Sequence, residues 1–255
     1  MNRTFKYVII ALLVVLVCWR FGGFRAVAHG PWFGWGSSWS GWSDGGGSAD
    51  SGPIVTRDYP WDEDRLELDV PGHLIFHPAP TWHLSLRGRE GTLNRLVVSD
   101  GRISEQHHGF FFVWHRSHPV EVDLAGPALR EATLNGSGSI ELQGINQDSL
   151  HVRIRGSGSA GGSGKVETLR LEIMGSGSAR LAQLATSNAD VTIDGSGNAD
   201  ISPTGATEVT IAGSGDVRLH ARPAQLSTHV YGSGRISEVP GAPAAAASPA
   251  PASGA

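Results

Sequence analysis

Four imidazoles fall within twelve residues, at His107, His108, His115 and His118, around the apolar run from Phe110 to Trp114. They are the densest set of potential metal ligands in the chain. Imidazole suits zinc or copper, but no cysteine or carboxylate lies inside the cluster to complete a site. A strand would also turn His115 and Trp114 to opposite faces. The cluster is therefore a weak metal candidate, and we read it as a hairpin or capping segment with surface histidines. On that reading Phe110, Phe111, Phe112 and Trp114 pack against the cap, and the alternative is an exposed contact patch.

Carboxylates are the next candidates, because a pair on one face can cleave polysaccharides as acid and base. The test is whether acids recur at one position in successive repeats. Asp194 and Asp200 flank the same glycine turn, and no acid stacks beside either. Three residues after the first glycine of each turn stand Ser139, Ser159, Ser178, Asn198, Asp216 and Arg235. No catalytic constellation emerges. The glycine triplets lack the lysine and the following helix of a phosphate loop. Calcium-binding repeats have a nine-residue period with an aspartate in every turn, unlike these. No cofactor is expected.

The elements that must carry these side chains are set by a repeat. Gly-Ser-Gly occurs as Gly136-Ser137-Gly138, Gly156-Ser157-Gly158, Gly175-Ser176-Gly177, Gly195-Ser196-Gly197, Gly213-Ser214-Gly215 and Gly232-Ser233-Gly234. The steps between copies are 20, 19, 20, 18 and 19 residues. A strand-plus-turn unit this short cannot bury its own apolar face and must stack on its neighbours. The spacing predicts an all-β, single-stranded β-solenoid with about 19 residues per coil.

Two residues before the first glycine stand Leu134, Ile154, Ile173, Ile193, Ile211 and Val230. Four before it stand Ala132, Val152, Leu171, Val191, Val209 and Thr228, and four after it Ile140, Ala160, Ala179, Ala199, Val217 and Ile236. Alternation along a strand sends these three sets to one interior, where coils about 4.8 Å apart align them as columns. The residue just before each triplet varies freely, as a solvent-facing position does. The glycines read as structural turns needing positive φ, and the central serines as a ladder of hydroxyl-to-hydroxyl hydrogen bonds.

Before the triplets, period-two patterns at Leu66, Leu68 and Val70, at Trp82, Leu84 and Leu86, at Leu96 and Val98, and at Val120, Val122 and Leu124 predict further strands. These form irregular first coils or a cap over the open end. The chain starts with Tyr7 to Trp19, apolar without a break and preceded by Arg3 and Lys6. This is an export segment, an N-terminal hydrophobic helix that is either cleaved after Ala28 as a signal peptide or retained as a transmembrane anchor. Residues 1–28 thus precede a Trp/Gly/Ser-rich linker (29–57), the solenoid (58–240) and a disordered Pro/Ala tail (241–255). From Asp58 to Pro240 there are 15 Lys and Arg against 22 Asp and Glu, so nucleic acid is not an expected partner. The single cysteine, Cys18, lies in the apolar run, leaving the solenoid with no disulfide.

Five linked units of the form apolar-x-Gly-Ser-Gly-x-apolar, with an export signal and a β-region opening near Arg65, resemble the putative auto-transporter adhesin, head GIN domain family. The resemblance covers roughly residues 62–240. It implies a β-helical rod of the bacterial cell envelope, exported to the periplasm or cell surface, and it supplies no catalytic residues. The role expected from these readings is non-catalytic: an adhesin-like module, held to the membrane by its N-terminal segment, that binds a glycan or an envelope protein along the solenoid face. The alternatives are a structural spacer or scaffold and a polysaccharide-acting β-helix enzyme.

Overall fold

The structure, a computed structural model, describes residues 52–106 and 118–239. The export segment, the Trp-rich stretch, His107, His108, His115 and the Pro/Ala tail lie outside the described residues, while His118 is described and exposed. Among the described residues no helix is long and apolar enough to cross a membrane.

In chain order the elements are β1 (Ile54–Tyr59), β2 (Arg65–Leu68), β3 (Gly72–Pro78), β4 (His83–Arg89), the one-turn helix α1 (Glu90–Leu93), β5 (Leu96–Ser99), β6 (Arg102–Glu105) and β7 (Val120–Gly126). The repeats follow as β8 (Glu131–Gly136), β9 (Ser139–Gly156), β10 (Ser159–Gly175), β11 (Ser178–Gly195), β12 (Asn198–Pro203), β13 (Ala206–Gly213), β14 (Asp216–Leu219), β15 (Gln225–Gly232) and β16 (Arg235–Glu238). From β8 onward every pairing is parallel, which makes a solenoid rather than a stack of hairpins. The register sets Gly136, Gly156, Gly175, Gly195, Gly213 and Gly232 directly over one another.

The predicted columns form in that register. Leu134, Ile154, Ile173, Ile193 and Ile211 are successive partners and fully buried, as are Val152, Leu171, Val191 and Val209. The third column narrows to Ala160, Ala179 and Ala199 between Ile140 and Val217. Burial of each large aliphatic side chain is worth about 1.5–3 kcal/mol, so the columns are the main source of cohesion between coils.

The two glycines of each corner serve different ends. Gly175 sits at φ 121°, and a Cβ there would stand 2.6 Å from the carbonyl oxygen of Gly156 in the coil below. Gly177 has no positive φ. It is glycine because a Cβ would meet Cγ2 of Ile154 at 2.6 Å and the Gly158 carbonyl at 2.9 Å. The expectation of positive φ at every triplet glycine is thus corrected for the third position, where space rather than dihedral decides.

The serine ladder is also corrected. Its rungs are backbone: the N–H groups of Ser157, Ser176, Ser196, Ser214 and Ser233 donate to the first glycine of the preceding coil at 2.8–3.0 Å. The hydroxyls are exposed and do not bond one another, since parallel stacking already aims an amide at a carbonyl at this point.

Before the first Gly-Ser-Gly corner lies a coil without that motif. Leu68 pairs with Leu134 and Leu74 with Ile140, which puts Val70-Pro71-Gly72 in the corner position. Gly72 fills the close approach there, because a Cβ would stand 2.5 Å from the Val120 carbonyl. A further layer is built by β6 on β2 and β7 on β3. The coil of β2 and β3 is therefore laid down first and then enclosed, with β6 and β7 on one side and β8 and β9 on the other. Antiparallel β4 and β1 finish the end beyond β7. The N-terminal region is both an irregular coil and a cap. Its β5–β6 hairpin turns on Asp100-Gly101, with Asp100 at φ 51° and Gly101 at 74°, the left-handed pair that a two-residue turn requires.

At the other end the columns become polar. Thr228 succeeds Val209 and Glu238 succeeds Leu219, while Leu226 and Val230 are each 42% exposed. A charge in an inward column of an edge strand discourages another chain from pairing there.

Candidate functional site on the outward faces

With the interior filled by side chains, chemistry is confined to the outward faces on either side of the corner. The face before the corner is knitted by ions. Arg153 on β9 donates to Glu172 on β10 at 2.8 Å and to Glu131 on β8 at 3.1 Å. Glu172 also accepts from Arg170 at 2.9 Å and stands 3.3 Å from His151. Burial opposes ionisation of Glu172, but hydrogen bonds from Arg153 and Arg170 and the charges of Arg153 and His151 outweigh it and hold the carboxyl below its ordinary value. Nearer the N-terminal cap, Asn135 donates to Glu67 at 2.7 Å and to Asp69, and Asp69 also takes Arg102. That hydrogen bond, with the charges of Asp69 and Glu67, raises Arg102 above its ordinary value. A groove of about 610 Å³ opens between Arg65, Asp100, Arg102 and Arg155. Most charges along this face are neutralised across coils, so the mesh staples the coils together.

The face after the corner is more open. Its register row runs Glu141, Gly161, Arg180, Asp200 and Arg218. Asp200 is held by His220 at 3.1 Å and Arg218 at 3.5 Å, and His73 bonds Ser139 at 2.6 Å. Glu141 and Arg180 have no hydrogen-bond or ion-pair partner among the described residues. Between them lies a second groove of about 610 Å³ over Gly161 and Gly162.

Sequence reasoning kept Asp194 and Asp200 apart, and the structure places them on β11 and β12 on either side of a corner. It missed a different pair. Asp190 on β11 and Glu208 on β13 are register partners at a shallow groove of about 390 Å³. The pair is legible in the chain, because Asp190 and Glu208 each stand five residues before the first glycine of successive corners, Gly195 and Gly213. Among the described residues no group of three or more His, Cys, Asp or Glu side chains could hold a metal ion.

Stacked Gly-Ser-Gly corners with aliphatic columns on both flanks are the arrangement that the repeat spacing predicted, and the resulting β-solenoid is the fold that the resemblance implied. Over residues 114–223 the chain matches the family described as putative auto-transporter adhesin, head GIN domain. The match starts later and ends earlier than the resemblance read from the motifs. The head GIN match thus leaves out the enclosed coil of β2 and β3 and the terminal coil of β15 and β16. No curated protein matches the chain. Among solved structures it is similar to a putative adhesin from Bacteroides fragilis, at 16% identity and a TM-score of 0.59, over 74% of this chain and 99% of that one. A putative adhesin from Parabacteroides merdae is 18% identical over 74% of this chain and 97% of that one, with a TM-score of 0.39. A putative lipid binding protein from Parabacteroides distasonis is 19% identical over 74% and 98%, with a TM-score of 0.41. Over that 74% of the chain the Bacteroides fragilis structure shares its fold.

Proposed function

We propose that the protein is a non-catalytic, adhesin-like module of the cell envelope, which recognises a glycan or an envelope protein along the outward faces of its solenoid. In this reading residues 1–28 export the chain and hold it to a membrane, the linker ends before β1 at Ile54 rather than at residue 57, and residues 241–255 form a free tail. The observation that supports it is the contrast between a packed interior and open polar grooves that each cross several coils. Recognition on such a rod is spread over neighbouring coils, as in other solenoids with extended binding surfaces. Glycan-array and envelope-extract binding by the full chain tests the reading. The expected outcome is saturable binding with no polysaccharide turnover. Absence of binding, with a graded response to deletion of one whole repeat, would point to a spacer instead.

One observation favours a second reading. Asp190 and Glu208 stand side by side on adjacent strands, and a pair of neighbouring carboxylates is what glycoside hydrolysis uses. If the protein is an enzyme acting on polysaccharides, release of reducing ends must be lost in Glu208→Gln.

A further inference from the structure

Glycine at position 161 is not explained by the backbone. Neither Gly161 nor Gly162 has a positive φ, in contrast to the first glycine of each corner. A Cβ on Gly161 would instead run into the carboxylate of Glu141, which leans across it, and a Cβ on Gly162 would meet Cδ2 of Leu181 at 2.9 Å. Gly161 therefore leaves a gap in an outward row otherwise filled by long side chains, while Gly162 faces the interior beside Leu142 and Leu181. Glu141 stands one coil to one side of this gap and Arg180 one coil to the other. Their backbones are thus about 9.6 Å apart, twice the spacing between strands.

Such a span is close to the breadth of one pyranose ring with its hydroxyls once the Glu141 side chain swings off Gly161, across which it leans. Each bordering group also lacks a partner among the described residues, whereas Asp200 in the next coil is already neutralised by Arg218 and His220. The groove therefore offers one free acceptor of charge −1 and one free donor of charge +1. Together they favour neither an anion nor a cation.

We infer that this groove binds a neutral hexose unit of a glycan, a proposal that rests on the surface-recognition reading above and gives it a place. Sugar hydroxyls donate and accept alike, so adjacent hydroxyls satisfy Glu141 while others accept from the fork of Arg180. Ser159 and Gln183, which also line the groove, supply further hydrogen bonds. A uronate that pairs with Arg180 still brings its charge within reach of Glu141, and an amino sugar that pairs with Glu141 does so beside Arg180, so the flanking charges offset each gain and leave the neutral ring at no disadvantage.

The test uses the full chain against neutral, uronate-containing and amino-sugar oligosaccharides on an array, followed by calorimetry with the neutral oligosaccharide that binds best. Glu141→Gln and Arg180→Gln should each weaken binding about tenfold, the loss of one charge-assisted hydrogen bond. Gly161→Val should abolish it while keeping the melting temperature, because the new side chain displaces only the flexible end of Glu141. Glu167→Gln, exposed and outside the groove, should leave it unchanged. Neutral binding that survives all three groove variants would overturn the groove but leave surface recognition standing, as would selective capture of uronates or of an envelope protein. If the wild-type chain binds no oligosaccharide and no envelope component, both the groove and the reading beneath it fall.

Discussion

Replacing individual corner glycines by alanine separates two kinds of constraint that the triplet conceals. Gly136 has φ 103° and nothing within 4 Å of where a Cβ would stand, because no glycine carbonyl lies beneath it. Gly136→Ala should therefore cost only backbone strain, about 1–3 kcal/mol. Gly175, at φ 121°, adds a contact of 2.6 Å between the new Cβ and the rigid Gly156 carbonyl. Overpacking of that kind costs a further 1–3 kcal/mol or so, for a total of about 2–6 kcal/mol. Gly177→Ala carries no dihedral penalty but pushes against Ile154 and the Gly158 carbonyl, and should cost about 1–3 kcal/mol through packing alone. Urea unfolding followed by circular dichroism, with free energies extrapolated to water, gives the three values. The reasoning fails if Gly175→Ala is no worse than Gly136→Ala, since the stacked carbonyl would then be irrelevant. It fails also if Gly177→Ala is neutral, since the third glycine would then need another explanation.

Ile193→Asp buries an unpaired carboxylate between Ile173 and Ile211 and should unfold the neighbouring coils, seen as a loss of cooperative thermal melting. Glu172 titrates below its ordinary value of 4.5 when folded, so its contribution to stability is present above that pH and lost as pH falls through the depressed folded value. The stability difference between wild type and Glu172→Gln, followed by urea melts across pH 7 to 3, should accordingly shrink towards the acid end. Thr228→Val with Glu238→Leu extends two apolar columns to the open C-terminal coil, and sedimentation should then report stronger self-association than in the wild type.

Local chemistry in the chain was sufficient for the coils. A triplet recurring at 18 to 20 residues, with an aliphatic residue two positions before each first glycine, admits hardly any arrangement but parallel stacking, because only stacking buries those side chains. Strands in the N-terminal half were likewise legible from Leu66, Leu68, Leu84, Leu86, Val122 and Leu124, which alternate as half-buried strands must.

What the sequence could not contain was the order of the layers. Val70-Pro71-Gly72 shares one glycine with Gly136-Ser137-Gly138, and only tertiary contact reveals that it occupies the same corner. That β6 and β7 pair with β2 and β3 on the edge opposite β8 and β9 is a property of the assembled core. The groove over Gly161 and Gly162 has the same origin. Glu141, Arg180 and Asp200 are ordinary surface charges along the chain, and register alone decides that Asp200 meets Arg218 and His220 while the other two are left facing each other across bare backbone.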